Sequence, residues 1–221
     1  MTGSRTYLGV VLGFSLLLAA CERHPSEPTE VTAEAAAYGS LPAYQQVPHP
    51  FVGKVVNVVL ISPDPGFWCL DVAGGLAQPS DLVQVFPCHN GLNQQWRIDA
   101  APISTGSLEG HDLRILRQRK DLVMLRSMKN PSVCLDVANA TANGNEYLVV
   151  FNCHGERNQA FSLPRPGGSN FTTGYIKTEL SAFTMALDAG NSTDHWVRQK
   201  IVAELTRQDW AFQPAGTGTR L

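Results

Sequence analysis

Two stretches of this chain repeat one another in register, and the repeat leaves few folds open. The first runs Cys69-Leu70-Asp71-Val72, then Leu82-Val83-Gln84-Val85-Phe86-Pro87-Cys88, then Asn93-Gln94-Gln95-Trp96. The second runs Cys134-Leu135-Asp136-Val137, then Tyr147-Leu148-Val149-Val150-Phe151-Asn152-Cys153, then Asn158-Gln159-Ala160-Phe161. Asp to Phe is fifteen residues in both, Asp to Asn twenty-two, and Cys to Cys nineteen. A weaker third copy, Ala186-Leu187-Asp188-Ala189 to Arg207-Gln208-Asp209-Trp210, lacks both cysteines and is about three residues shorter inside.

The repeating unit reads as β. Residues 55–61, 82–86, 122–125 and 147–151 are short, rich in branched or aromatic side chains, and bounded by Gly, Pro, Asn or Asp. One such repeat cannot bury its own apolar face, so three must share a core. Closing the strands into a capped barrel also removes exposed sheet edges. Three β repeats about a pseudo-threefold axis make a β-trefoil, an all-β fold. A hydrophobic fraction of 43% with 16% charged residues suits that packed body, and a net charge of -2 argues against general binding of nucleic acid.

Residues 1–20 read as an export signal: Arg5 is followed by an apolar run too short to span a bilayer comfortably. The run ends Leu18-Ala19-Ala20-Cys21, which resembles a bacterial lipobox, and that resemblance implies a lipid on Cys21. An ordinary secretory signal with an incidental Cys21 is the alternative. Glu22 is compatible with sorting to an outer membrane, with the head surface-exposed or released. Residues 21–50 read as a Pro/Ser/Thr/Glu-rich tether whose last part, 38–50, lies as an extended strap on the domain. The trefoil is expected over 51–214, with a tail at 215–221.

Setting Cys21 aside for lipid leaves four cysteines, an even set in an oxidising compartment. The equal intervals select two local disulfides, Cys69–Cys88 and Cys134–Cys153. No pair has the short gap of a zinc knuckle, and His89 and His154 each directly follow a Cys, which is poor geometry for two ligands on one ion. No metal and no cofactor is expected.

Cys-Leu-Asp-Val, a Cys nineteen residues on, and Asn-Gln-x-Trp resemble the ricin-B-type lectin repeat over residues 55–214. The resemblance implies that Trp96, Phe161 and Trp210 are core residues. It also implies a carbohydrate site in which Asp71 is the carboxylate, Gln84 a supporting amide, Phe86 the stacking ring and Asn93 the hydroxyl partner. Gln94 supports Asp71 from behind. Copy two keeps Asp136, Phe151, Asn158 and Gln159, with Val149 in place of Gln84; copy three has Arg207 in place of Asn and no stacking aromatic in register. Copy one therefore ranks ahead of copy two, and copy three is expected not to bind. The chemistry suits sugars: a carboxylate makes charge-assisted bonds to adjacent hydroxyls, amides donate and accept, and a ring covers the C–H face. In the competing reading the same Asp and Asn-Gln residues only satisfy turns.

Catalysis finds no support: Gly-x-Ser-x-Gly, His-Glu-x-x-His, a phosphate loop and Cys-x-x-Cys are all missing. The chain is expected not to be an enzyme. A basic run, Arg114, Arg117, Arg119, Lys120, Arg126 and Lys129, reads as the solvated face of strands, with docking of an acidic partner as the minority reading. The 65-residue step from Cys69 to Cys134 exceeds the 52 from Cys134 to Ala186, which places an insertion near residues 100–112.

Leader, tether and single trefoil together are similar to the cell-binding lipoprotein component of the cytolethal distending toxins. That resemblance implies a cell-surface-binding lipoprotein that recognises host glycans and assembles with a second trefoil and a DNase-I-like nuclease subunit. It holds the membrane by its lipid alone and does not bind nucleic acid itself. The aromatic patch some members carry before the first disulfide is reduced here to Phe67 and Trp68. A glycan-capturing accessory lipoprotein and an envelope scaffold are the alternatives.

Overall fold

A computed structural model describes residues 43–61, 66–102, 119–165, 173–190, 193–202 and 207–216. The export signal, Cys21, most of the tether, most of the expected insertion and residues 217–221 lie outside the described residues.

Thirteen short strands make up the described sheet, all paired antiparallel. They are β1 (Val55–Leu60), β2 (Trp68–Val72), β3 (Val83–Pro87), β4 (Gln95–Ala100), β5 (Leu122–Ser127), β6 (Val133–Val137) and β7 (Leu148–Asn152). The rest are β8 (Phe161–Ser162), β9 (Thr173–Gly174), β10 (Lys177–Thr178), β11 (Met185–Asp188), β12 (Arg198–Ile201) and β13 (Trp210–Pro214).

Pairing closes a ring. β1 pairs β4, β4 pairs β5, β5 pairs β8, and β8 pairs β10; β9, just upstream of β10, pairs β13, which returns to β1. Because β9 and β10 act as one interrupted strand, this is a six-membered barrel. The hairpins β2–β3, β6–β7 and β11–β12 cap one end and join each other through the bridges Leu82↔Val149, Tyr147↔Arg198 and Gln84↔Trp196. Two barrel strands and one hairpin in each of three repeats define a β-trefoil.

The shared core explains why three repeats are needed. Trp96, Phe161 and Trp210 are fully buried at equivalent positions, among Leu70, Leu135 and Leu187. Burial of a tryptophan contributes about 4–6 kcal/mol by its apolar area. Each indole also satisfies a backbone carbonyl: Trp96 Nε1 donates to Leu70 O at 3.0 Å and Trp210 Nε1 to Leu187 O at 3.1 Å.

Both expected disulfides are present, Cys69–Cys88 and Cys134–Cys153, each closing a separation of 19 residues. Each should stabilise the fold by about 3 kcal/mol in the chain-entropy account. In the third hairpin Ala186 and Val202 occupy the corresponding places, yet the local backbone bond survives: Val202 N donates to Thr184 O, as Cys88 N does to Phe67 O and Cys153 N to Ser132 O. The disulfide therefore reinforces a turn that the backbone already makes.

Two expectations are corrected. The expected strap does lie against the domain, where Lys120 N donates to Gln45 O, the Arg165 side chain to Val47 O, and His49 is 2% exposed, but its conformation differs. Residues 43–46 form a 3₁₀ turn rather than extended chain. The described part of the basic run is solvated only in part, and Arg126 lies in β5, which is covered on both sides. Arg119 is buried against Asp121 and over the Phe183 ring, and half-buried Arg126 bonds Asp99 and Pro131 O. Only Lys120 and Lys129 among its described members are exposed.

Candidate functional site

In each hairpin the second strand answers the first residue for residue. Asp71 lies opposite Gln84 and Cys69 opposite Phe86; Asp136 lies opposite Val149 and Cys134 opposite Phe151. Alternation along a strand then puts Gln84 and Phe86 on one face, with the carboxylate beside them. Just beyond each Asp the chain turns through a left-handed residue, Gly74 (φ 71°) or Asn139 (φ 60°), residue types that tolerate that region.

In copy one Asp71 is 2% exposed, and each oxygen of its carboxylate accepts an amide donor. Gln84 Nε2 donates to Oδ1 at 3.1 Å, Asn93 Nδ2 donates to Oδ2 at 2.8 Å, and His89 Nε2 lies 3.5 Å from Oδ2. Phe86, 46% exposed, meets the His89 ring edge-on at 5.9 Å. Copy two repeats the arrangement around Asp136. Asn158 Nδ2 and Gln159 Nε2 each donate at 2.8 Å, His154 Nε2 lies at 3.3 Å, and Phe151 is 40% exposed beside that ring. A cavity of about 430 Å³ opens over it, walled by Val149, Phe151, Ala138 and Ala140 and reached by Ser80 from the preceding repeat.

The glutamines of the Asn-Gln pairs sit behind the carboxylates, not at the surface: Gln94 and Gln159 are fully buried. Each side-chain oxygen takes two backbone N–H groups, of His89 and Asn90 in copy one and of His154 and Gly155 in copy two. Each amide nitrogen donates to a strand-end carbonyl, Pro87 O or Asn152 O. They shape the loop that carries the histidine and brace the site from behind the carboxylate, the place expected of Gln94.

His89 and His154, which the sequence presents only as poor metal ligands, stand inside the sites. His89 Nδ1 accepts the Gly91 N–H and His154 Nδ1 accepts the Glu156 N–H, each at 3.1 Å. That bond leaves the proton on Nε2, aimed at the carboxylate. The sequence signal for them is the repetition itself: His follows the second Cys at the same register in both copies. Burial pushes the carboxyls of Asp71 and Asp136 above the usual range, against the pull of their amide and imidazole donors.

Copy three is closed from within. By register Arg198 replaces Gln84 and Lys200 replaces Phe86. Lys200 Nζ sits 2.9 Å from Asp188, which also accepts from Gly190 N and Gln208 Nε2. A cation stands where the other copies present a ring.

No protein-family model matches this sequence, and no curated protein matches it. Solved structures do, and a designed threefold-symmetric protein and a ricin B-like lectin are among them. The designed threefold-symmetric protein ThreeFoil is 21% identical at a TM-score of 0.53, over 72% of this chain and 96% of that one. The Macrolepiota procera ricin B-like lectin, solved with lactose, is 18% identical at 0.50, over 74% and 96%. The Rhizoctonia solani agglutinin is 16% identical at 0.51, over 73% and 95%. The chain therefore folds as a ricin-B-type β-trefoil.

Proposed function

We propose that this chain is a glycan-recognising protein that binds cell surfaces through copies one and two. One observation carries the reading: in both copies an exposed phenylalanine stands beside a buried, ionisable carboxylate ringed by amide and imidazole donors. A ring for the C–H face next to a hydroxyl-binding edge is what a pyranose requires. Copy three, with its ion pair, does not bind.

The particular role is cell binding within a multi-component bacterial toxin, the chain being anchored by lipid on Cys21 and joined to a second trefoil and a DNase-I-like nuclease. The lipobox, tether and single trefoil support it. Glycan-array and host-cell binding by the purified chain, beside Phe86→Ala, Phe151→Ala and the double variant, tests the lectin. Each single change should weaken its own site about tenfold or more, and the double should abolish binding. Binding by the double variant equal to wild type would overturn the reading. Assembly is tested by co-purification with the second trefoil and the nuclease; a lectin that assembles with neither is an accessory lipoprotein.

A further inference from the structure

His49 is a buried titratable group that the glycan sites do not use. It is 2% exposed, on the segment that enters the domain, and both ring nitrogens are engaged. Nδ1 accepts the Phe51 N–H at 3.3 Å, and Nε2 lies 3.2 Å from Pro164 O, a carbonyl that can only accept. The ring is therefore neutral with its proton on Nε2. It packs at 5.3 Å on Phe51, which packs at 5.4 Å on Phe212 of β13. Other bonds of the segment include Lys120 N to Gln45 O, the Arg165 guanidinium to Val47 O, and Val52 N to His49 O.

We propose that residues 43–50 are a strap pinned to the trefoil by His49 and released when its ring takes up a second proton. That proton has one place to go, Nδ1, which faces the Phe51 N–H. Two donors then oppose each other, and a charge sits in an apolar pocket. The charged groups facing the ring are Arg165, which opposes the proton, and Asp121, which favours it but is held by Arg119 at 2.7 Å. Burial pushes the docked imidazole below its ordinary value, and Arg165 adds to this against the bond to Pro164 O and Asp121. The free ring thus binds the proton more tightly than the docked one. Docking is at full strength above about pH 6.5 and weakens as pH falls below it, by up to about tenfold per pH unit until the docked ring also titrates.

Release leaves the barrel and caps intact. It adds eight residues of free chain, about 28 Å when extended, to whatever precedes the domain. It also uncovers the face of Phe51 on which the His49 ring packs. A head tethered through its N-terminal side gains reach in a mildly acidic compartment.

Hydrogen exchange read by mass spectrometry on the full chain, corrected for intrinsic rates, tests this at pH 7.5 and 5.5. Protection over 43–52 should fall, by up to about tenfold, while peptides covering β4 and β5 keep theirs. The His49 ring proton, followed by NMR, should titrate over the range in which the strap is lost. His49→Gln, which cannot titrate, should make the strap insensitive to pH whether docked or free. The inference fails if the wild-type strap stays protected while His49 titrates, or if the variant keeps the same pH dependence. It fails equally if β4 and β5 lose protection together with the strap.

Discussion

Truncating Asp136 to Ala and replacing it by Asn should have different costs, because the carboxylate is both a ligand group and a structural acceptor. Asp136 is 4% exposed and takes one hydrogen bond each from Asn158 and Gln159 at 2.8 Å. In Asp136→Ala the Asn158 amide, 8% exposed, loses this acceptor at full desolvation cost. Gln159 keeps its bond to Asn152 O and loses less. At about 1–3 kcal/mol for an orphaned buried donor, the two sum to about 2–4 kcal/mol. Asp136→Asn retains an acceptor for Gln159, whose own amide is locked because its oxygen holds two backbone N–H groups. Asn158 can turn its amide to meet the new NH₂. The change also relieves burial of a charge, so it should cost only about 1 kcal/mol. Urea unfolding at pH 7 with unchanged slope measures both. Both variants should lose copy-two glycan binding, since a neutral amide cannot make charge-assisted bonds to a hydroxyl pair. Costs within about 0.5 kcal/mol of each other, half of one net hydrogen bond, would refute the argument that Asn158 and Gln159 depend on this acceptor.

Comparing the three copies leads to two more expected outcomes. Trp96→Phe gives copy one the side chain copy two has natively, but strips Leu70 O of its indole donor; it should cost about 2 kcal/mol in urea unfolding, and a loss under about 0.5 would show that Leu70 O finds another partner. Lys200→Ala leaves Asp188 buried with only its two uncharged donors. Because Lys200 is about one-third exposed, the expected loss is about 2 kcal/mol rather than the larger cost of breaking a fully buried pair, and an unchanged unfolding midpoint would show that the pair is screened by water.

The repeat is legible in the chain because it is local: Cys, Asp, Phe and Asn recur at fixed separations along one hairpin. Strand alternation turns those separations into shared faces without reference to the rest of the molecule. That determined the trefoil, both disulfides and the core places of Trp96, Phe161 and Trp210. Tertiary structure decided what depended on approach between segments distant in sequence. It made Gln94 and Gln159 buried loop braces, brought Ser80 of one repeat to the cavity of the next, and set Lys200 on Asp188. Whether Arg119, just ahead of β5, met water or Asp121 was settled by tertiary packing that buries both and lays Phe183 on the guanidinium, which no periodicity along the chain encodes. The direction of the His89 and His154 rings was settled by a backbone N–H two residues on, and sequence shows the histidine but not the turn that aims it.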